Sequence, residues 1–187
     1  MRKLFNNYKK NLSETLGKLE VEQVEELCQL ILSAWKTNNT IYLCGNGGSA
    51  ANAMHVANDM IYGAGKKNGK GINIEALTSN SAVLTCLAND LSYEDIFSEQ
   101  IRAKGKSKDL LIVFSGSGNS KNVIKAIEIA KNKKMKTFAV VGFDGGKCKK
   151  IADNSIHLNI NDMQVAEDFQ LIVSHMCMQW LSKQKIN

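Results

Sequence analysis

Five short apolar runs, spaced along the chain and separated by helix-patterned segments, limit the possible folds more than any other feature. They are Thr40–Cys44, Gly71–Leu77, Leu110–Phe114, Thr137–Gly142 and a weaker one at Ser155–Ile160. The run Leu110–Phe114 is long enough for one fully buried strand and too short for a helix. Between the runs, apolar residues fall into helical spacing over Ser49–Tyr62, Ser81–Ala88, Tyr93–Lys104, Asn119–Lys133 and Asp162–Lys183. Before the first run, Leu12, Leu16 and Leu19 make one helical stripe and Val24, Leu27, Ile31, Leu32 and Trp35 make another, with Asn38-Asn39 closing the segment. Buried strands alternating with helices predict an α/β fold: a parallel five-stranded sheet inside a three-layer α-β-α sandwich. The organisation expected is a helical extension over 1–36 and one domain over 37–187.

Ligands in such folds bind at the carboxyl ends of the strands, where strand order reverses. Two strand exits carry small-residue loops: Gly45-Asn46-Gly47-Gly48-Ser49 and Ser115-Gly116-Ser117-Gly118-Asn119-Ser120. A strand, a small-residue loop and a helix N-terminus together form an anion site, because free N–H groups and the positive end of the helix dipole converge there. The second loop adds three serine hydroxyls. It has no lysine in the Gly-x-x-x-x-Gly-Lys-Ser/Thr pattern of nucleotide hydrolases, which points to a phosphate monoester on a small molecule. A dinucleotide fingerprint is only half met at Gly45, Gly47 and Ala50, and a nicotinamide cofactor is not expected.

Composition narrows the class. The 187 residues carry a net charge of +6, with basic runs at Lys66-Lys67, Lys131–Lys136 and Lys147–Lys150. Aromatic residues do not interleave these charges, so a solvated lysine-rich surface is expected and nucleic-acid binding is not. There is no apolar run of membrane-spanning length and no apolar segment after the N-terminus, so the expected location is cytoplasmic, with no membrane partner. The five cysteines lack framework spacing, which predicts reduced thiols, mostly in the core.

The candidate chemistry lies on two helices. His55 and Asp59 are four residues apart, on one helix face, where they can share a metal or pass a proton. Glu167 and His175 are eight apart, close to one face of the last helix. His175 lies among Val173, Met176 and Cys177, an apolar setting in which a lone histidine is most often a core residue. His157 is assigned to structure. Two histidines and two carboxylates would suit a borderline cation, zinc first.

Three collinear motifs carry a resemblance: Gly45-Asn46-Gly47-Gly48-Ser49-Ala50-Ala51-Asn52-Ala53-Met54-His55, then Ala88-Asn89-Asp90 with Ile96-Phe97, then Phe114-Ser115-Gly116-Ser117-Gly118-Asn119-Ser120, with Asp144-Gly145-Gly146-Lys147 following. Together they resemble the phosphoheptose isomerases of the sugar isomerase (SIS) domain family. The resemblance implies a flavodoxin-like sheet, a homotetramer packed through the N-terminal helices, and active sites between subunits. It implies conversion of sedoheptulose 7-phosphate to D-glycero-D-manno-heptose 7-phosphate for surface glycans such as lipopolysaccharide or capsule. Carried over residue by residue, it implies substrate contacts from Asn46, Gly47, Ser49, Asn80, Ser115, Gly116, Ser117, Ser120 and Glu167. It also implies zinc on His55, Asp59, Glu167 and His175, and proton transfer by Asp59, Glu167 and His175. Four positions depart from the family pattern: Asp59 stands for Glu, Glu167 for Gln, Asn80 for Asp and Gly116 for Thr. Two other readings follow from the same resemblance: an isomerase of a different phosphosugar, and a non-catalytic tetramer that binds a protein.

Overall fold

Every second residue of the central strands faces the same way, and this alternation divides the interior into two cores. The computed structural model describes residues 1–66 and 69–186, so Lys67 of the first basic run lies outside the described residues. The strands are β1 (Ile41–Cys44), β2 (Ile74–Ala76), β3 (Leu110–Ser115), β4 (Lys136–Val141) and β5 (Asn154–His157). They form one parallel sheet in the order β2-β1-β3-β4-β5. Ile41, Leu43, Ile112, Phe114, Phe138 and Val140 face one core, while Tyr42, Cys44, Leu111, Val113, Ala139 and Val141 face the other. This is the five-stranded parallel sandwich that the apolar runs predict.

The first core is covered by α2 (Val21–Lys36), α3 (Gly48–Asn58) and α8 (Met163–Leu181). The second is covered by α4 (Ser81–Asp90), α5 (Ser98–Lys104), α6 (Lys121–Asn132) and α7 (Gly146–Ile151). The N-terminal segment is two helices, one for each apolar stripe. The first, α1 (Arg2–Gly17), ends at its glycine, and α2 starts at Val21 after a short break. Leu27, Ile31 and Trp35 of α2 are almost fully buried, and the Trp35 indole N–H donates to the Gly71 carbonyl at 3.1 Å.

Elsewhere the boundaries move for local reasons. The edge strands β2 and β5 are shorter than their apolar runs, because an edge residue pairs on one side only. The stretch Tyr93–Lys104 is not one helix. A 3-10 turn, Tyr93–Asp95, is capped by Ser92, whose hydroxyl accepts from the Glu94 N–H at 3.1 Å. Ile96 and Phe97 then turn into the second core before α5 begins. After Asn58, α3 continues as a π-helical segment, Asp59–Ala64. Its first N–H, that of Asp59, still donates to the His55 carbonyl, so both residues stay on one face. Of the cysteines, Cys28, Cys44, Cys148 and Cys177 are buried free thiols and Cys86 is exposed. Among the described residues no helix is long and apolar enough to cross a membrane.

The Tyr8 hydroxyl helps to tie α1 to the sandwich by donating to the Asp168 carboxylate. That bond, with burial and the nearby negative charge, pushes the Tyr8 phenol up to about 12. A raised folded value means that the contribution is full below the ordinary tyrosine value near 10 and is lost as pH climbs through 12. The site is mostly solvated, so the bond is worth about 1 kcal/mol after screening. Tyr8→Phe should therefore lower the urea midpoint at pH 8, and the gap to the parent should close by pH 12. Equal midpoints at pH 8 would refute the anchor.

Candidate functional site

The chain leaves β1 for β2 on one side and returns to β3 on the other, so the exits of β1 and β3 lie side by side at the reversal of strand order. Cys44 pairs with Val113 in register, and the two small-residue loops start from adjacent positions. This is where an open parallel sheet binds ligands.

The serine loop is rigid. The Ser115 hydroxyl is buried and accepts from the Gly118 N–H at 3.0 Å, and the Ser117 hydroxyl accepts from the Asn119 N–H at 3.2 Å. Gly118 has φ +66°, and a Cβ there would strike the Gly145 carbonyl. The Cys148 N–H donates to the Gly118 carbonyl at 2.8 Å and the Gly142 N–H to the Gly116 carbonyl at 2.9 Å, pinning the loop to the exit of β4. A Cβ on Gly116 would run into the Met163 thioether, so the first residue of α8 roofs the loop. Ser120 caps α6 through its backbone alone; its hydroxyl makes no capping bond. The structure therefore separates the three serines. Ser115 works inside the loop, Ser117 braces the turn, and Ser120 keeps its hydroxyl uncommitted to the helix it starts.

The first loop is tied to the second. Asn46 and Asn122 exchange amide hydrogen bonds at 2.9 and 2.8 Å, and the Tyr93 hydroxyl donates to Asn46 Oδ1 at 3.1 Å. Gly47 precedes α3 at φ +54°, a left-handed conformation that favours glycine. Ser49 is buried, and its hydroxyl accepts from the Gln170 amide at 2.9 Å. Asn52 completes that clamp, donating to Gln170 Oε1 and the Glu167 carbonyl, both at 2.9 Å. Ser49 thus fastens α3 to α8. Asn80 is exposed and caps α4, accepting from the Val83 N–H at 3.2 Å. Asn122, Asn52, Gln170 and Tyr93 join the site without belonging to any candidate set that the sequence marks. The available signal was a polar residue on a core-facing helical position, as at Asn122 beside Val123 and Ala126.

The α3–α8 clamp brings the two candidate helices together. His55 Nε2 lies 3.0 Å from His175 Nε2, and Asp59 Oδ2 lies 3.4 Å from each of them. His175 is thus a half-exposed member of this group and not a core histidine. Tetrahedral zinc with bonds of about 2.0–2.2 Å sets neighbouring ligand atoms about 3.3–3.6 Å apart, so these three atoms mark one face of such a polyhedron and leave a fourth position open. The donor set fits zinc. Glu167 is not brought into this group. Its carboxylate lies against Gly48, where an added Cβ would strike it, at the start of α3. His157 is structural in its contacts, with its two ring nitrogens 2.9 Å from the Phe143 carbonyl and from the Lys149 ammonium.

Comparison with known proteins identifies the family. The SIS domain family matches residues 5–142. A phosphoheptose isomerase of Helicobacter pylori strain P12 is 36% identical over 175 residues, covering 94% of this chain and 90% of its own. One from Akkermansia muciniphila is 34% identical over 165 residues, covering 88% and 85%. The solved phosphoheptose isomerase of Neisseria gonorrhoeae superposes with a TM-score of 0.89 at 30% identity, covering 98% of this chain and 97% of that one. The shared sheet order, the two loops at its reversal and these likenesses over nearly the full length place the chain in the SIS domain family, among the phosphoheptose isomerases.

Proposed function

We propose that the protein interconverts sedoheptulose 7-phosphate and D-glycero-D-manno-heptose 7-phosphate. The observation that carries this reading is the pair of small-residue loops at the adjacent exits of β1 and β3, with the Glu167 carboxylate against Gly48 at the start of α3. Phosphate held by Ser117, Ser120 and the N-terminus of α6 would direct the other end of the sugar toward α3 and α8. Ser115 and Gly116 shape that loop, while Asn46 and Gly47 line the sugar side.

The ketose-to-aldose step breaks a C1–H bond and forms a C2–H bond, while one proton leaves the C1 hydroxyl and one reaches the C2 oxygen. Because Asp59 is one methylene shorter than the family's Glu and Glu167 adds a carboxylate where the family has Gln, Glu167 is assigned the carbon proton, removed alpha to the C2 carbonyl and returned at C2 of the enediol. The oxygen protons are assigned to Asp59 Oδ1 and His175 Nδ1, the atoms of those groups that are not part of the three-atom face. His55, Asp59 and His175 would hold zinc, which when bound supplies Lewis-acid polarisation of the carbonyl oxygen. The shorter Asp59 still reaches both imidazoles, so its missing methylene does not disperse the group.

The same reading includes a cytoplasmic homotetramer serving heptose synthesis for surface glycans. Leu4, Phe5, Leu16 and Val21 are more than half exposed along α1 and at the start of α2, which supports subunit packing through the N-terminal helices. A different phosphosugar is the second reading, favoured by Asn80, Glu167 and Gly116, the last of these roofed by Met163 where a larger residue's Cβ would not fit. The test is incubation with sedoheptulose 7-phosphate followed by 1H NMR. A new aldose anomeric signal is expected, and its absence at millimolar substrate would refute the assignment.

A further inference from the structure

Beside the first loop, the chain forms a cavity of about 260 Å3 whose lining includes Asn46, Thr78, Thr85 and Tyr93 as its polar side chains and no charged one. Its other walls are backbone and apolar residues such as Met54, Leu84 and Phe97. An uncharged wall suits the hydroxyl-bearing part of a ligand and not its phosphate. Two of the four polar groups are committed to backbone: Thr78 donates to the Ala50 carbonyl, and Thr85 donates to Ser81 and Ala82. Asn46 and Tyr93 remain.

A single backbone donor sets the polarity of this pair. The Val123 N–H donates to Asn122 Oδ1 at 3.0 Å, which fixes that atom as the carbonyl oxygen. Asn122 Nδ2 then donates to Asn46 Oδ1, and Asn46 Nδ2 donates back to Asn122 Oδ1. Asn122 is buried, so the pair cannot reorient without losing bonds inside the protein. Asn46 Oδ1 therefore accepts, and the Tyr93 hydroxyl must donate to it. With its proton committed, Tyr93 has acceptor capacity left, and Asn46 has one N–H left. One acceptor beside one donor is the complement of a hydroxyl group.

The turn that carries Tyr93 is held from the other side. Lys121 pairs with Glu94 at 2.9 Å, and Lys125 pairs with Asp95 at 3.0 Å. Both lysines belong to α6, the helix that starts at the serine loop. The turn thus spans the two loops, touching Asn46 of the first and the first turns of the helix after the second.

Resting on the phosphosugar reading above, we propose that Tyr93 is a specificity-determining residue that accepts a hydrogen bond from a sugar hydroxyl. In this role Asn122 is a positioning residue that keeps the Asn46 amide turned toward Tyr93. Tyr93→Phe removes the oxygen and keeps the ring, and because Tyr93 is 60% exposed it should not disturb folding.

The experiment compares parent and Tyr93→Phe by isothermal titration with inorganic phosphate and with sedoheptulose 7-phosphate, and by steady-state kinetics. For the variant, a roughly 3- to 10-fold weaker Kd and higher KM for the sugar phosphate are expected, as for loss of one neutral hydrogen bond. The Kd for inorganic phosphate, held by the serine loop alone, should stay the same, and kcat should change by less than about twofold. Equal sugar-phosphate affinity in the two proteins would overturn the role of Tyr93 and leave the phosphosugar reading intact. Equal weakening for inorganic phosphate would also overturn it, showing a general effect on the site. A parent that binds inorganic phosphate but no sugar phosphate would defeat the phosphosugar reading and this proposal together.

Discussion

Replacing His175 with alanine is expected to strip zinc from the protein and to lower turnover by about 10²–10⁴-fold. The three-atom face formed by His55, Asp59 and His175 would be reduced to two donors that share one helix, short of the three protein ligands that catalytic zinc sites use. Loss of the α8 contribution also removes the cross-helix contact that fixes the other two side chains. Metal analysis after zinc loading and dialysis should fall from near one ion per chain to background. The His175 side chain is 41% exposed, so its removal leaves no core void and the melting temperature should hold. Full zinc retention in this variant would disprove the assignment of the metal group. Retained zinc loss with unchanged turnover would separate the metal from the reaction.

The sheet was legible because its central strands are buried on both faces. The burial of β1 and β3 is unbroken, so their sequences read as continuous apolar runs. At the edges that signal weakens, and the runs overstate β2 and misplace β5. The helix α7 has only six residues, three of them lysines, and leaves too short a pattern to detect. The π-helical segment after Asn58 has no local code in the sequence, since its hydrogen bonds depend on packing against neighbouring elements.

The site was legible in proportion to how local its geometry is. The His55–Asp59 pair follows from four-residue spacing within one helix. Its meeting with His175 depends on how α3 packs on α8, which is set by the buried bonds of Ser49, Asn52 and Gln170. Spacing could not reveal that clamp, in which the Ser49 hydroxyl fastens two helices. Glu167 and His175 share a helix, yet eight residues put their α-carbons about 12 Å apart along its axis. That separation keeps Glu167 at the level of the first loop, away from the ligand atoms that His175 joins.

Because of this separation, Glu167→Gln should divide proton transfer from metal binding. Glutamine keeps the shape and the contact with Gly48, so α3 and α8 should stay in place. Glutamine, the residue of the family pattern here, cannot accept a proton from carbon at neutral pH, so if Glu167 has taken over the base from the shortened Asp59, kcat should fall by about 10²–10⁴-fold with KM little changed. Zinc content should stay at the parent level, because His55, Asp59 and His175 are untouched. A group that only positioned the sugar would instead raise KM and leave kcat near its parent value. A group that ligated the metal would lower zinc content along with the rate. The decisive readout is solvent deuterium: the parent should carry deuterium into the carbon-bound position of substrate or product when run in D2O, and the variant should not. Undiminished deuterium exchange in Glu167→Gln would move the base to Asp59, the remaining carboxylate of the site. The contact of Glu167 with Gly48 would then serve only to hold α8 against the loop.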